Sequence, residues 1–317
     1  MTTTLSQAGL QRIFEKEIVP TEFTSLTKRS HPTAVFVGGP PGSGVHTLTA
    51  AAEQKIRQIS RATPAVINPT FLEPYHPNFV APTPSGRDTA PDVRAAGRHW
   101  AHLAVDTVLQ AGADAVIEMP MDNPQNVVTT MARFRNAGYY LGICLLSVPE
   151  AVSRLGTFAE FHHQLTHTHA GRLVSRADHD SSYHGLLAVA ELVDRDHLVN
   201  QAQVHGRTGL VATNYLTADG TWQRPDVCIA QAVTLERSRS WHPQEQQQFS
   251  HLALRLSHAL GGRWHPELQE IAFSAPSMKP STQAFPGIRT GFIAQGTVSP
   301  SKTQPVVPQP APARHRR

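Results

Sequence analysis

The stretch "TAVFVGGPPGSGVHT", Thr33 to Thr47, decides the fold. Its first half is a short apolar, β-branched run ending in glycines, the composition of a strand buried on both faces that feeds straight into a turn. Its second half carries the spacing of a phosphate-binding loop, G-x-x-x-x-G-K-[ST], with Gly39 and Gly44 as the outer glycines and Gly42 and Ser43 between them. Val45 stands where the lysine belongs and His46 where the Ser/Thr belongs. In a working loop, backbone N–H groups and the start of the next helix cradle the phosphates, the lysine adds charge and the hydroxyl serves a magnesium ion. The backbone half of that device survives here, and Val45 still offers an N–H. His46 is a poor substitute for the hydroxyl, and Thr47, one position on, would have to be recruited by a small shift. The plainer reading of Gly38–Gly44 is a strand-to-helix turn.

Outward from the loop, a helix is expected from about Val45 to Ser60, and strands at 64–68, 114–118 and 140–148. Helical patterns fill 91–111 and 124–137, so strand and helix alternate. That alternation gives an α/β fold, a parallel sheet with helices on both faces. Leu5, Leu10, Ile13, Phe14 and Ile18 space an N-terminal helix over 5–18, closed by Pro20. Beyond Pro149 the chain turns polar: helical over 150–170, irregular over 171–183, then helical over 183–195. A segment dropped over the strand ends in this way reads as a lid at about 150–182. A strand pair around the turn at 205–209 and helices at 225–239 and 243–260 close the domain, taken as 1–270.

With 40% hydrophobic residues, 317 residues can bury a sizeable core. The net charge is +4, but Lys279, Arg289, Lys302, Arg314, Arg316 and Arg317 lie in an acid-free stretch, and the remainder sits near −2 without them. The basicity therefore belongs to a Pro-rich tail at 271–317, expected to be disordered, and no nucleic-acid face is indicated. No apolar run approaches the ~18 residues of a membrane span, and the opening residues do not read as a leader, so no membrane partner and a cytoplasmic location are expected. Cys144 and Cys228 are too few for a disulfide framework and are expected as buried thiols.

Seven ordered blocks give the loop its context: "PTAVFVGGPPGSGVHT" (32–47), "VINPTFLEPYHPNF" (66–79), "VIEMPMDNP" (116–124), "NAGYYLGICLLSVPEAVSRLGTF" (136–158), "GRLVSRADHD" (171–180), "HGRTG" (205–209) and "LERSRSWHPQE" (235–245). In order and spacing they resemble the zeta toxin family over about residues 10–265. The resemblance implies a P-loop kinase-like α/β fold that uses ATP and Mg²⁺ to phosphorylate a hydroxyl of UDP-N-acetylglucosamine, often held in check by an antitoxin protein.

Carried over by position, the match is uneven. Gly39, Gly42, Ser43 and Gly44 keep the cradle, with Val45, His46 and Thr47 following as the remaining nucleotide-contacting positions. Asn68 and Thr70 fall on the family's two acidic positions, so the expected carboxylate base is missing, and a threonine hydroxyl cannot take a proton near neutral pH. Glu73, one helical turn on, is a displaced candidate. Glu118 keeps the strand-end acid. Glu160-Phe161 replaces the lid's "RY", reversing charge where an arginine is expected, whereas Arg172 matches a second lid arginine with Arg176 nearby. The candidate catalytic set is thus Glu118, Arg172, Glu73 and Thr70. Phosphotransfer is expected to be weak, altered or lost, with a catalytically inactive binding or regulatory protein as the alternative.

Other patterns have two readings. Arg207 in "HGRTG" suits an adenine or phosphate contact, or a basic hairpin turn. Arg94 and Arg98, one helical turn apart, suit an anion pocket or a solvated face. His163 and His167 share a helix face, but a zinc site wants three or four ligands, and no metal site is assigned. His179 and Asp180 are expected to orient the lid.

Overall fold

The computed structural model describes residues 5–79, 91–168 and 171–275. Six strands, β1 (Thr33–Gly38), β2 (Ala65–Ile67), β3 (Ala115–Glu118), β4 (Tyr140–Leu146), β5 (Gln201–Gly206) and β6 (Gly209–Tyr215), form one sheet in the order β2-β3-β1-β4-β5-β6. The first five are parallel and β6 returns antiparallel to β5. As the apolar composition of 33–39 requires, β1 lies inside the sheet with Ala34, Phe36 and Val37 fully buried.

Around the sheet run α1 (Gln7–Ile13), α2 (Val19–Glu22), α3 (Val45–Ser60), α4 (Pro69–Leu72), α5 (Pro91–Ala111), α6 (Pro124–Asn136), α7 (Glu150–Thr168), α8 (Arg176–Asp196), α9 (Ile229–Ser238), α10 (Pro243–Leu260) and α11 (His265–Ser274). On one face α3 packs Ile56 against Val37 and Val116. On the other, Trp100 of α5, Phe134 of α6 and Leu186 of α8 join Phe36, Ile117 and Ile143 in the main core. Each such side chain, fully buried, contributes about 1.5–3 kcal/mol. A separate cluster ties α7 to α10 and α11 through Leu155, Phe158, Phe249, Leu256 and Ile271. Arg154 reinforces it with a 3.0 Å ion pair to Glu270.

Four local expectations need correction. Pro20 does not close the first helix: a π-helical turn over Phe14–Ile18 bonds the Val19 N–H to the Phe14 carbonyl, and the helix runs on to Glu22 past the missing Pro20 N–H. The stretch read as irregular to 183 is helical from Arg176, because Ser175 accepts a hydrogen bond from the Asp178 N–H and caps it. Cys228 is exposed as the cap residue of α9, while Cys144 on β4 is half-buried, with burial pushing its thiol up to about 12. Finally, α11 extends the ordered chain to Ser274, inside the expected tail, whose residues from 276 on lie outside the described ones. No helix among the described residues is long and apolar enough to cross a membrane.

Candidate functional site

In a parallel sheet the carboxyl ends of the strands are where ligands bind. At this edge β1 runs into Gly39–Gly44, β2 into Asn68–Glu73, and β3 ends at Glu118. Gly42 and Gly44 have φ of +77° and +87°, left-handed values that strain residues with a Cβ. Gly44 caps α3 without any side-chain hydrogen bond. The first N–H groups of the helix, including those of Val45 and His46, thus have no intrahelical acceptor, and the dipole favours an anion there.

The loop is clamped from outside. A Cβ on Gly42 would lie 2.2 Å from the Ser153 carbonyl oxygen, and one on Gly156 would lie 1.9 Å from the Gly42 oxygen. The cradle therefore owes its position to a glycine-on-glycine contact with α7.

A cleft of about 250 Å³ opens at this edge. Of the twelve catalytic and nucleotide-contacting candidates, eight line it: Gly39, Gly42, Val45, His46, Thr70, Glu73, Glu118 and Arg172. Four others do not. Ser43 is buried beneath the loop, Gly44 sits at the cap itself, Thr47 is exposed on α3, and Arg207 occupies the β5–β6 turn. Arg176, expected near Arg172, turns away from the lining to pair with Glu270 at 2.9 Å.

At the centre, His46 Nδ1 lies 3.0 Å from Glu118 Oε1 and 3.3 Å from Oε2. The Thr49 hydroxyl donates to Glu118 Oε2 at 2.5 Å. The hydrogen bond to Glu118 raises the His46 pKa above its ordinary value, with the charges of Glu118 and Glu160 adding to it and burial opposing. Glu160 has its pKa raised by burial and by Glu118, with His46 pulling the other way. The Phe71 ring stacks on the imidazole at 6.0 Å.

Across the cleft, Arg172 Nη1 meets Glu73 Oε2 at 3.3 Å, and Arg98 meets Asp122 at 3.0 Å. Arg94 and Arg98 both line the cleft, which favours the pocket reading of that pair. Asn68 is not vacant in the family's acidic position: its side chain caps α4 by accepting from the Thr70 N–H. His179 is buried, bonded through Nε2 to Ser153 at 2.9 Å and through Nδ1 to Asp180 at 2.9 Å, so it joins α8 to α7. The rings of His163 and His167 lie 4.0 Å apart on α7. Sequence reasoning missed Thr49, Asp122 and the closeness of Glu160 to Glu118. Thr49 had a signal, a polar residue one turn beyond His46 on the sheet-facing side of a helix.

The loop suits a phosphate, but the motif's hydroxyl for a magnesium ion is missing from position 46. Magnesium wants near-octahedral oxygen ligands at about 2.0–2.1 Å. Here an imidazole replaces the motif's hydroxyl and lies against Glu118, and Thr47 does not line the cleft. Among the described residues, no group of three or more His, Cys, Asp or Glu side chains could hold a metal ion.

Comparison with known proteins follows the same lines. The zeta toxin family model matches residues 19–215. A solved structure from the PezAT chromosomal toxin-antitoxin system of Streptococcus pneumoniae is similar with a TM-score of 0.63 at 14% identity, over 81% of this chain and 99% of that one. The AvrRxo1-ORF1:-ORF2 complex is similar with a TM-score of 0.55 at 12% identity, over 86% and 96%. The same complex with ATP gives 0.56 at 11% identity, over 86% and 96%. No curated protein matches the chain.

Proposed function

The chain belongs to the zeta toxin family, and from that premise we propose that it binds a nucleotide on its P-loop kinase-like fold while phosphoryl transfer to a hydroxyl of UDP-N-acetylglucosamine is weak or lost. One observation carries the reading. A backbone-built phosphate cradle opens on the same cleft as four side chains, Val45, Thr70, Glu160 and the paired Glu73, that do not supply the chemistry.

Phosphoryl transfer is almost entirely positioning and charge stabilisation, with a base to take the acceptor's proton. Val45 brings an N–H but no cation, and the loss of a single stabilising group of this kind costs about 10²–10³-fold. Thr70 is exposed and has no basicity near neutral pH. Glu160 places a carboxylate where the moving phosphoryl group needs a cation. The lining as a whole has three arginines against five carboxylates, so it is acidic even with His46 protonated.

ATP as the nucleotide draws support from the similar complex solved with ATP. An antitoxin-type protein partner draws it from the PezAT toxin-antitoxin structure. A cytoplasmic location accompanies both ligands. Calorimetric titration with ATP and with UDP-N-acetylglucosamine tests the proposal: saturable heats with ATP are expected, and their absence would remove the nucleotide reading.

The Glu73–Arg172 pair favours a second reading, slow transfer by a displaced base. A phosphate that engaged Arg172 would loosen one hold on the Glu73 carboxylate beside Thr70, where it could accept a hydroxyl proton. Under this reading Glu73→Gln abolishes a slow transfer that the wild type shows; under the first, the wild type shows none to abolish.

A further inference from the structure

Building on the nucleotide-binding reading, we infer that the phosphate seat of this cleft works without a divalent metal, the His46 imidazole standing in the metal's place. Three observations support it. The imidazole occupies the gap between the start of α3 and the end of β3, its Nδ1 facing both Glu118 oxygens at 3.0 and 3.3 Å. Those oxygens already accept from this ring and from the Thr49 hydroxyl at 2.5 Å, which leaves fewer of their lone pairs for a metal. The hydroxyl that the motif uses for the metal is gone from position 46, and Thr47 lies off the cleft.

An imidazole can do part of the metal's work. With Nδ1 committed to Glu118, Nε2 is the ring's remaining polar atom, and the ring lines the cleft beside the uncapped first turn of α3. A protonated ring there donates one charge-assisted hydrogen bond to a phosphate oxygen and brings one unit of positive charge. Phe71, stacked on the ring, fixes its plane. The seat then grips phosphate by N–H donors, from the Val45 and His46 backbone and from the His46 ring. A magnesium ion attached to the ligand gains no bond from such donors.

The test is calorimetric titration of the full chain with ATP, first in EDTA and then in excess Mg²⁺. Wild-type affinity is expected to be the same in both within about threefold, and His46→Thr, which restores the motif's hydroxyl, to bind about tenfold more weakly in EDTA and to be tightened by Mg²⁺. Wild-type binding that needs Mg²⁺, or is tightened about tenfold by it, would overturn the metal-free seat and leave the nucleotide reading intact. Absence of ATP binding in both conditions would overturn the nucleotide reading and this inference with it. Thermal melting establishes that the variant is folded. If the threonine variant does not fold, His46→Gln, which keeps an N–H but no charge, is expected to weaken binding in EDTA about tenfold, and unchanged affinity would count against the role of His46.

Discussion

The loop Gly39–Gly44 and the wall facing it, Asn68 to Glu73 with Arg172, answer to different constraints. The loop is made of backbone: left-handed glycines, an uncapped helix start, and contact with Gly156 so close that no side chain fits between. Replacing any of these disturbs the fold itself. The facing wall is made of side chains at positions the backbone tolerates in many forms. Asn68 has become a helix cap and Thr70 lies exposed on the cleft wall, while Glu73 is held by an arginine. Backbone machinery is kept by folding, whereas side-chain machinery is kept only by the chemistry it performs. That asymmetry explains how a phosphate cradle can persist after the groups that move a phosphoryl group have been exchanged.

The comparison can be broken most forcefully at the clamp. Gly156→Ala is expected to destabilise the protein by about 3 kcal/mol in denaturant unfolding, because the added carbon meets the Gly42 carbonyl and α7 must shift. A neutral outcome would mean that the loop does not depend on α7. On the facing wall the effects should be smaller. Arg172→Ala takes the cation from the buried Glu73 carboxylate and is expected to cost about 2 kcal/mol by the same measurement. Asn68→Ala removes only a cap, and about 1 kcal/mol is expected.

The smallest effect is at His46 and depends on pH. Its ring faces Glu118 from β3 and Glu160 from α7, and its folded pKa is raised above 6.5, chiefly through the Glu118 hydrogen bond. A raised pKa means that the ring's contribution to stability is full below the unfolded value and is lost as pH rises through the folded one. The melting difference between wild type and His46→Gln should therefore be larger near pH 6 than near pH 9, and the ring's NMR titration should show a midpoint above the ordinary histidine value. A difference that grows with pH would reverse the assignment.

Much of this architecture was legible in the sequence because periodicity and glycine spacing are local. The run at 33–39, the helix at 45–60 and the alternation beyond it needed no tertiary information. The start of α8 was missed because its polarity suggests a loop, while its helical state rests on the Ser175 cap and on burying His179 against Ser153. For α11, Leu268 and Ile271 gave little local signal and depend on packing against α7. At the site, residue types were legible but partners were not. Nothing in the spacing says that Arg176 faces Glu270 instead of the cleft, or that His46 meets Glu118, because those pairings bridge elements far apart in the chain.

The most direct test of the central claim is a single-turnover assay of labelled phosphate transfer from ATP to UDP-N-acetylglucosamine. Wild type is compared with a variant carrying Val45→Lys, His46→Thr and Thr70→Asp together. The account predicts little or no transferred label with wild type and at least about 10²-fold more in the variant, since only side chains, not the cradle, were lacking. Transfer by the wild type as fast as by the variant would contradict it.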